Sequence, residues 1–200
     1  MSGFTLRGFY GFGPASGDNT AYTSATDQER MFGLGLDYDM GPLSIGVVHH
    51  RSNDIGNVTN VDQRESAIAG TYNFGPAALY GTWQTTTAEN AAGADTAKFR
   101  IWSLGATAPV STSGLFRVMY ARFDNKLAGA TNNDAKSWGA LYEHTMSKRT
   151  LAYVGYNHMS NNGLAAWITP AGNGNGGQSN VTVAPGGTSN GYGFGVIHKF

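Results

Sequence analysis

The stretch MFGLGLDYD (31–39) puts Phe32, Leu34, Leu36 and Tyr38 on one side and Met31, Gly33, Gly35, Asp37 and Asp39 on the other. Successive side chains of an extended strand point to opposite faces, so a period of two specifies a strand with one apolar face. PLSIGVVHH (42–50) repeats the pattern, with Leu43, Ile45 and Val47 against Ser44, Gly46 and His50. So does FTLRGFYGF (4–12), where Phe4, Leu6, Tyr10 and Phe12 oppose Thr5, Arg7 and Gly11. The last run sets Tyr192, Phe194, Val196, His198 and Phe200 against Gly193, Gly195 and Lys199.

Cutting the chain at its turn signals gives ten such segments, at 3–13, 29–40, 42–52, 62–74, 76–88, 96–109, 113–125, 134–146, 149–160 and 190–200. Each is close to the roughly ten residues a tilted strand needs to cross a bilayer. The connections alternate in length. MGP (40–42), NFGPA (73–77), VSTSG (110–114) and MSKR (146–149) are tight, whereas 14–28, 53–61, 89–95, 126–133 and 161–189 are long and polar. One end of the sheet is trimmed and the other elaborated, as in outer-membrane barrels.

Charged residues are 13 % of the 200, about half the usual globular share, and 29 residues are glycine. Lys plus Arg and Asp plus Glu balance at 13 each, which leaves no net field to attract nucleic acid. Cysteine is absent, excluding a disulfide framework and thiolate chemistry. No stretch reads as a transmembrane helix. Residues 66–88 carry no charge but are interrupted throughout by Gly, Thr, Asn, Gln and Pro. MSGFTLRGFYGFG (1–13) has no apolar signal core, which fits a chain that is not exported or a mature or truncated form.

Alternation also suits a soluble sandwich. Small residues dominating the polar face, long uninterrupted strands and aromatics at segment ends favour membrane strands, with Tyr10, Phe12, Tyr38, Tyr72 and Phe74 suited to interfacial girdles. In hydrocarbon an unpaired backbone group costs several kcal/mol, so such a sheet is expected to close. The fold class expected is all-β, an antiparallel transmembrane β-barrel with about ten strands in this chain.

YDMGPLSIGV (38–47), YNFGPAALYG (72–81), LGATAPV (104–110), MSKRTLAYVGY (146–156) and GVIHKF (195–200) resemble the general diffusion porins of Gram-negative bacteria. The match is to the trimeric β-proteobacterial type, such as those of Burkholderia, Delftia and Neisseria. The resemblance runs in order along the whole chain and implies an outer-membrane channel, not an enzyme, passing ions and small hydrophilic solutes. It implies sixteen strands, of which this chain resembles the C-terminal ten, so residues 1–200 read as a single porin-type domain lacking the first six strands and the long third loop. A fragment and a shortened ten-stranded barrel both fit. The family is trimeric, but its trimer contact draws heavily on the missing strands, which leaves a homotrimer open. Ile197 stands where the family commonly shows a basic residue facing the lumen.

Alternation assigns Arg7, Asp37, Asp39, Glu65, Arg117, Glu143 and Lys199 to the lumen face, where rings of charge set ion preference; equally, they are ordinary solvated interior residues. Arg100 and Arg122 fall on the lipid face near the loop end, where long side chains snorkel to headgroups. Tyr192, Phe194, Val196, His198 and Phe200 resemble the C-terminal signal read by the barrel assembly machinery, with outer-membrane lipids as the surrounding partner. Asp37 and Asp39 point the same way, but no third ligand for Ca²⁺ is identifiable. His49 and His50 are adjacent and point oppositely, so they form no simple chelate. No metal, cofactor or catalytic motif (GxSxG, HExxH, P-loop) is present. The rivals to a channel are a non-conducting small or truncated barrel serving as an anchor, and a soluble β-sandwich binding module.

Overall fold

The computed structural model describes residues 3–12, 30–55, 58, 60–129, 133–168 and 183–200. Ten strands form one sheet in sequence order. They are β1 (Gly3–Phe12), β2 (Arg30–Met40), β3 (Leu43–Asn53), β4 (Asp62–Asn73), β5 (Ala78–Glu89), β6 (Asp95–Pro109), β7 (Gly114–Asn125), β8 (Ala135–Ser147), β9 (Thr150–Asn161) and β10 (Thr188–His198). Each lies within about two residues of the segment expected from alternation. The chain divides into two compact units. One comprises Met1–Gly70, Thr82–Arg100 and Lys126–Ala130; the other Thr71–Gly81, Ile101–Asn125 and Thr131–Phe200.

In the first unit β1, β2 and β3 pair antiparallel without interruption, Arg7 opposite Gly35 and Asp37 opposite Gly46. In the second, β7, β8, β9 and β10 pair antiparallel, with one irregularity between Thr145 and Ser147. Turn chemistry fixes the register. Gly41, at φ +56°, begins the two-residue turn joining Met40 to Leu43, a left-handed position whose twist matches the strands it connects. In the next tight turn the Asn73 side chain accepts from Gly75 N at 2.8 Å, and Phe74 N donates to Ala77 O at 2.8 Å. Ser147 Oγ accepts from Arg149 N at 3.2 Å in the last one.

Among the described residues the length alternation differs from expectation at one place. The β5–β6 connection, expected over 89–95, is only the five residues 90–94, because β5 runs to Glu89 and β6 starts at Asp95. Asn90 closes it as a tight turn, its side chain accepting from Ala92 N at 3.0 Å and Ala94 N at 3.1 Å. The expected loop at 14–28 lies outside the described residues, as do parts of those at 53–61, 126–133 and 161–189.

The polarity is that of a protein whose solvent is not water. Among the described residues the buried apolar ones are Ala135 and Ala165, and no large side chain is fully buried. Phe194 is 86 % exposed, Tyr192 78 %, Leu6 75 % and Phe4 72 %. Leaving a side chain of that size fully in water forfeits about 1.5–3 kcal/mol, and among the described residues thirty-two large apolar side chains are more than a third exposed. A soluble sandwich would bury this face, so that alternative fails. The backbone meanwhile bonds strand to strand, as hydrocarbon demands.

Candidate functional site

The polar face is built from the registers. In the first unit Arg7, Asp37 and Asp39 share one face, because Arg7 lies opposite Gly35 and Asp37 opposite Thr5. The missing side chain at Gly35 leaves Arg7 free to reach diagonally, and its Nη1 meets Asp37 Oδ2 at 3.1 Å. The Asp37 carboxylate also lies over Gly46, where a Cβ would stand 2.8 Å from Oδ1. Asp39 sits one step along the same face, opposite Ser44. On β4, Glu65 accepts from Gln63 Nε2 at 2.7 Å.

The second unit repeats the diagonal arrangement. Arg117 lies opposite Leu141, and its Nε donates to Glu143 Oε2 at 2.9 Å. Lys199 falls one residue beyond β10, its backbone N donating to Arg149 O at 2.9 Å and prolonging the ladder. Of the seven charged residues singled out by alternation, the structure thus couples two pairs directly, Arg7 with Asp37 and Arg117 with Glu143. Asp37 is thus engaged by the Arg7 guanidinium.

Alternation by polarity missed the aromatics of this face. Phe9 shares the parity of Arg7 and lies directly opposite Gly33, on which its ring packs. Tyr80 covers Gly105, and its hydroxyl donates to Val118 O at 3.2 Å. Tyr153 covers Gly195, where a Cβ would fall 2.6 Å from the hydroxyl oxygen. The signal was available for two of the three, since each of those rings stands opposite a glycine. Such rings narrow the polar face without adding charge.

The other face is apolar. In the second unit Tyr192, Phe194, Val196 and His198 lie opposite Tyr156, Val154, Ala152 and Thr150. Trp138, Tyr156 and Tyr192 form a run of rings with successive centroids 5.1 Å apart. His198 Nδ1 meets Thr150 Oγ1 at 2.9 Å, and its ring stands edge-on to Phe200 with centroids 5.0 Å apart. In the first unit Phe4 packs on Tyr38 at 4.5 Å between centroids. The two adjacent histidines diverge as expected. His49 bonds Ser66 at 2.9 Å, while His50 faces Phe9 with ring centroids 5.6 Å apart. Arg100 stacks on Trp83, and Arg122 donates to Asp124 at 2.6 Å with Asp134 at 3.9 Å.

Long antiparallel strands, exposed aromatics on one face and paired charges on the other define a protein that crosses a membrane with β-strands. Residues 1–164 match the Gram-negative porin family, and the chain belongs to it. It is 34 % identical over 145 residues to outer membrane porin protein 32 of Delftia acidovorans, an alignment covering 72 % of this chain and 40 % of that protein. The anion-selective porin from Comamonas acidovorans superposes over 100 % of this chain and 57 % of its own, with a TM-score of 0.77 and 28 % identity. OmpT of Vibrio cholerae, 14 % identical with a TM-score of 0.61 over 88 % of this chain and 57 % of its own, shares the fold. The chain therefore spans roughly half the length of these relatives. Membership of the family places it in the outer membrane.

Proposed function

We propose that this chain forms the wall of a water-filled channel through which ions and small hydrophilic solutes diffuse passively across the outer membrane. The observation that carries the reading is the inversion of polarity, with large apolar side chains exposed on one face and the Arg7–Asp37 and Arg117–Glu143 pairs on the other. The mechanism needs no covalent chemistry. A wet, charged wall removes the desolvation barrier that hydrocarbon presents to a polar solute, and lining charges bias which ions enter.

Arg7, Asp37, Asp39, Glu65, Arg117, Glu143 and Lys199 are assigned to the lumen lining. Three of them are basic and four acidic, with Ile197 adding no charge. The selectivity proposed is accordingly weak, in contrast to a relative described as anion-selective. Residues 1–200 are taken as a single porin-type domain, resembling ten of the family's sixteen strands. The exposed stripe Tyr192, Phe194, Val196, His198 and Phe200 is assigned to recognition by the barrel assembly machinery, and a homotrimer is the assembly the resemblance suggests.

Reconstitution in a planar bilayer tests the channel. Discrete conductance steps with a reversal potential near zero in a salt gradient support the reading. A chain that inserts and leaves the bilayer insulating supports the anchor instead.

A further inference from the structure

The registers of the second unit lay out its polar face as a grid. One row runs Met119, Gly139, Asn157 and Gly191 across β7 to β10, and the next runs Arg117, Leu141, Gly155 and Gly193. With glycine at four of these positions, the sheet shows bare backbone there. The result is a groove of about 310 Å³ lined by Arg117, Met119, Leu141, Asn157 and Tyr80. That is at the small end for ligand sites, about 300–1,000 Å³, and holds one small ring. The glycines keep it open. A Cβ at Gly139 would stand 3.5 Å from Asn157 Nδ2, and one at Gly155 3.0 Å from Leu141 Cδ1.

The polar groups around the groove carry both signs and no net charge. Arg117 Nε donates to Glu143 Oε2 at 2.9 Å, a bond that leaves the terminal guanidinium N–H groups and the second carboxylate oxygen to offer. Asn157 Oδ1 is enclosed and has no hydrogen-bond partner among the described residues. An enclosed polar atom without a partner calls for an explanation, and the terminal torsion of asparagine is soft enough to turn the amide toward a ligand. Tyr80 donates its hydroxyl to Val118 O at 3.2 Å, which fixes its ring beside the groove. Met119 and Leu141 supply apolar wall. A carboxylate or phosphate would be drawn by Arg117 and repelled by Glu143 beside it. Vicinal hydroxyls, which both donate and accept, suit such a mixed set.

We infer that this groove is a weak binding site for a neutral, polyhydroxylated ring, a single sugar residue. Its hydroxyls bond Arg117, Glu143 and Asn157, and its C–H face lies on Met119 and Leu141. The inference rests on the reading that this face of the sheet is wet. Binding is measured without current, so the two readings fail separately. A chain that binds sugar and does not conduct loses only the channel, and one that conducts without binding loses only the site.

The test is saturation-transfer NMR on the folded full chain in detergent micelles, with D-glucose and its uronate, D-glucuronate, as probes. Glucose is expected to bind with a dissociation constant of the order of a few millimolar, the affinity so small a ligand supports. Glucuronate should bind roughly three-fold more weakly, because its carboxylate meets Glu143. Asn157→Ala should weaken glucose about five-fold, the worth of one hydrogen bond. Glu143→Gln keeps the shape and removes the repulsion, so it should reverse the preference in favour of glucuronate, which a merely loosened sheet would not do. Ser137→Ala, one step along the same face and outside the groove, should change neither affinity. Absence of saturable glucose binding, a preference of the unaltered chain for glucuronate, or an unchanged preference in Glu143→Gln overturns the proposal. So does glucose affinity that Asn157→Ala leaves intact or that Ser137→Ala lowers equally.

Discussion

Arg7 Nη1 and Asp37 Oδ2 stand 3.1 Å apart although the two residues are not directly opposed; Arg7 faces Gly35, and the pair closes across the diagonal. Arg117 and Glu143 do the same at 2.9 Å, over Leu141. Half-exposed pairs of this kind contribute little to stability, about 0–1 kcal/mol. On the proposed channel reading their consequence is electrostatic, because each cancels a charge that would otherwise face the solute.

Removing one partner should therefore unmask the other. Arg7→Gln frees Asp37 and should shift the permeability ratio toward cations, whereas Asp37→Asn should shift it toward anions. An interaction worth about 0.5–1 kcal/mol corresponds to roughly a two- to five-fold change in the ratio. Reversal potentials in a KCl gradient measure it, and the two substitutions must move in opposite directions.

The Tyr80 ring occupies the space that a side chain at 105 would need. Gly105→Ala should destabilise the folded sheet by about 1–3 kcal/mol through overpacking, and Tyr80→Ala should restore most of the loss. Denaturant titration of the single and double variants in detergent reads the coupling. Additive effects would show that the ring and the glycine act independently.

Phe194, 86 % exposed and opposite Val154, lies well inside β10 on the apolar face. Phe194→Arg should cost about 2–4 kcal/mol for folding into vesicles, the depth-dependent price of a cation against hydrocarbon. The same change at Gly193, one residue away on the polar face, should cost far less in the same assay.

The β3–β4 connection should respond to acid. Asp54 Oδ1 accepts from Asn60 N at 2.9 Å and its Oδ2 meets Arg30 at 3.1 Å, and these two contacts, the backbone donor foremost, hold its carboxyl below the usual range. A depressed carboxylate contributes order that is complete above its ordinary pKa, about 3.9, and is lost as pH falls through the lowered value. Hydrogen exchange at the Asn60 amide should accelerate below that range, beyond the intrinsic rate. Asp54→Asn, which still accepts a bond but does not titrate, should remove the pH dependence.

Much of this was legible in the sequence because alternation is a one-dimensional record of which side chains meet lipid. Leu34 against Gly35, or Phe194 against Gly195, needs no tertiary knowledge. What alternation could not supply was the diagonal. Arg7 and Asp37 are thirty residues apart, and only the register of β1 on β2 joins them. Polarity also hid Phe9, Tyr80 and Tyr153, because an aromatic on the wet face is accommodated by a glycine on the neighbouring strand, a property of two strands at once. Arg100 and Arg122 could be placed on the lipid face by parity, but their surroundings could not. The Trp83 ring under one and Asp124 beside the other come from neighbours that no periodicity announces.

The two faces of the sheet meet different solvents, and the absence of cysteine makes that directly measurable. Single cysteines are introduced on β10 at 192, 193, 194, 196 and 197, leaving out 195 because Tyr153 covers it; the chain is reconstituted in liposomes, and each is exposed to a membrane-impermeant thiol reagent. A period of two is expected, with cysteines at 193 and 197 labelled and those at 192, 194 and 196 protected. Uniform labelling along the strand, or protection of 193 and 197 alone, would overturn the assignment of the faces.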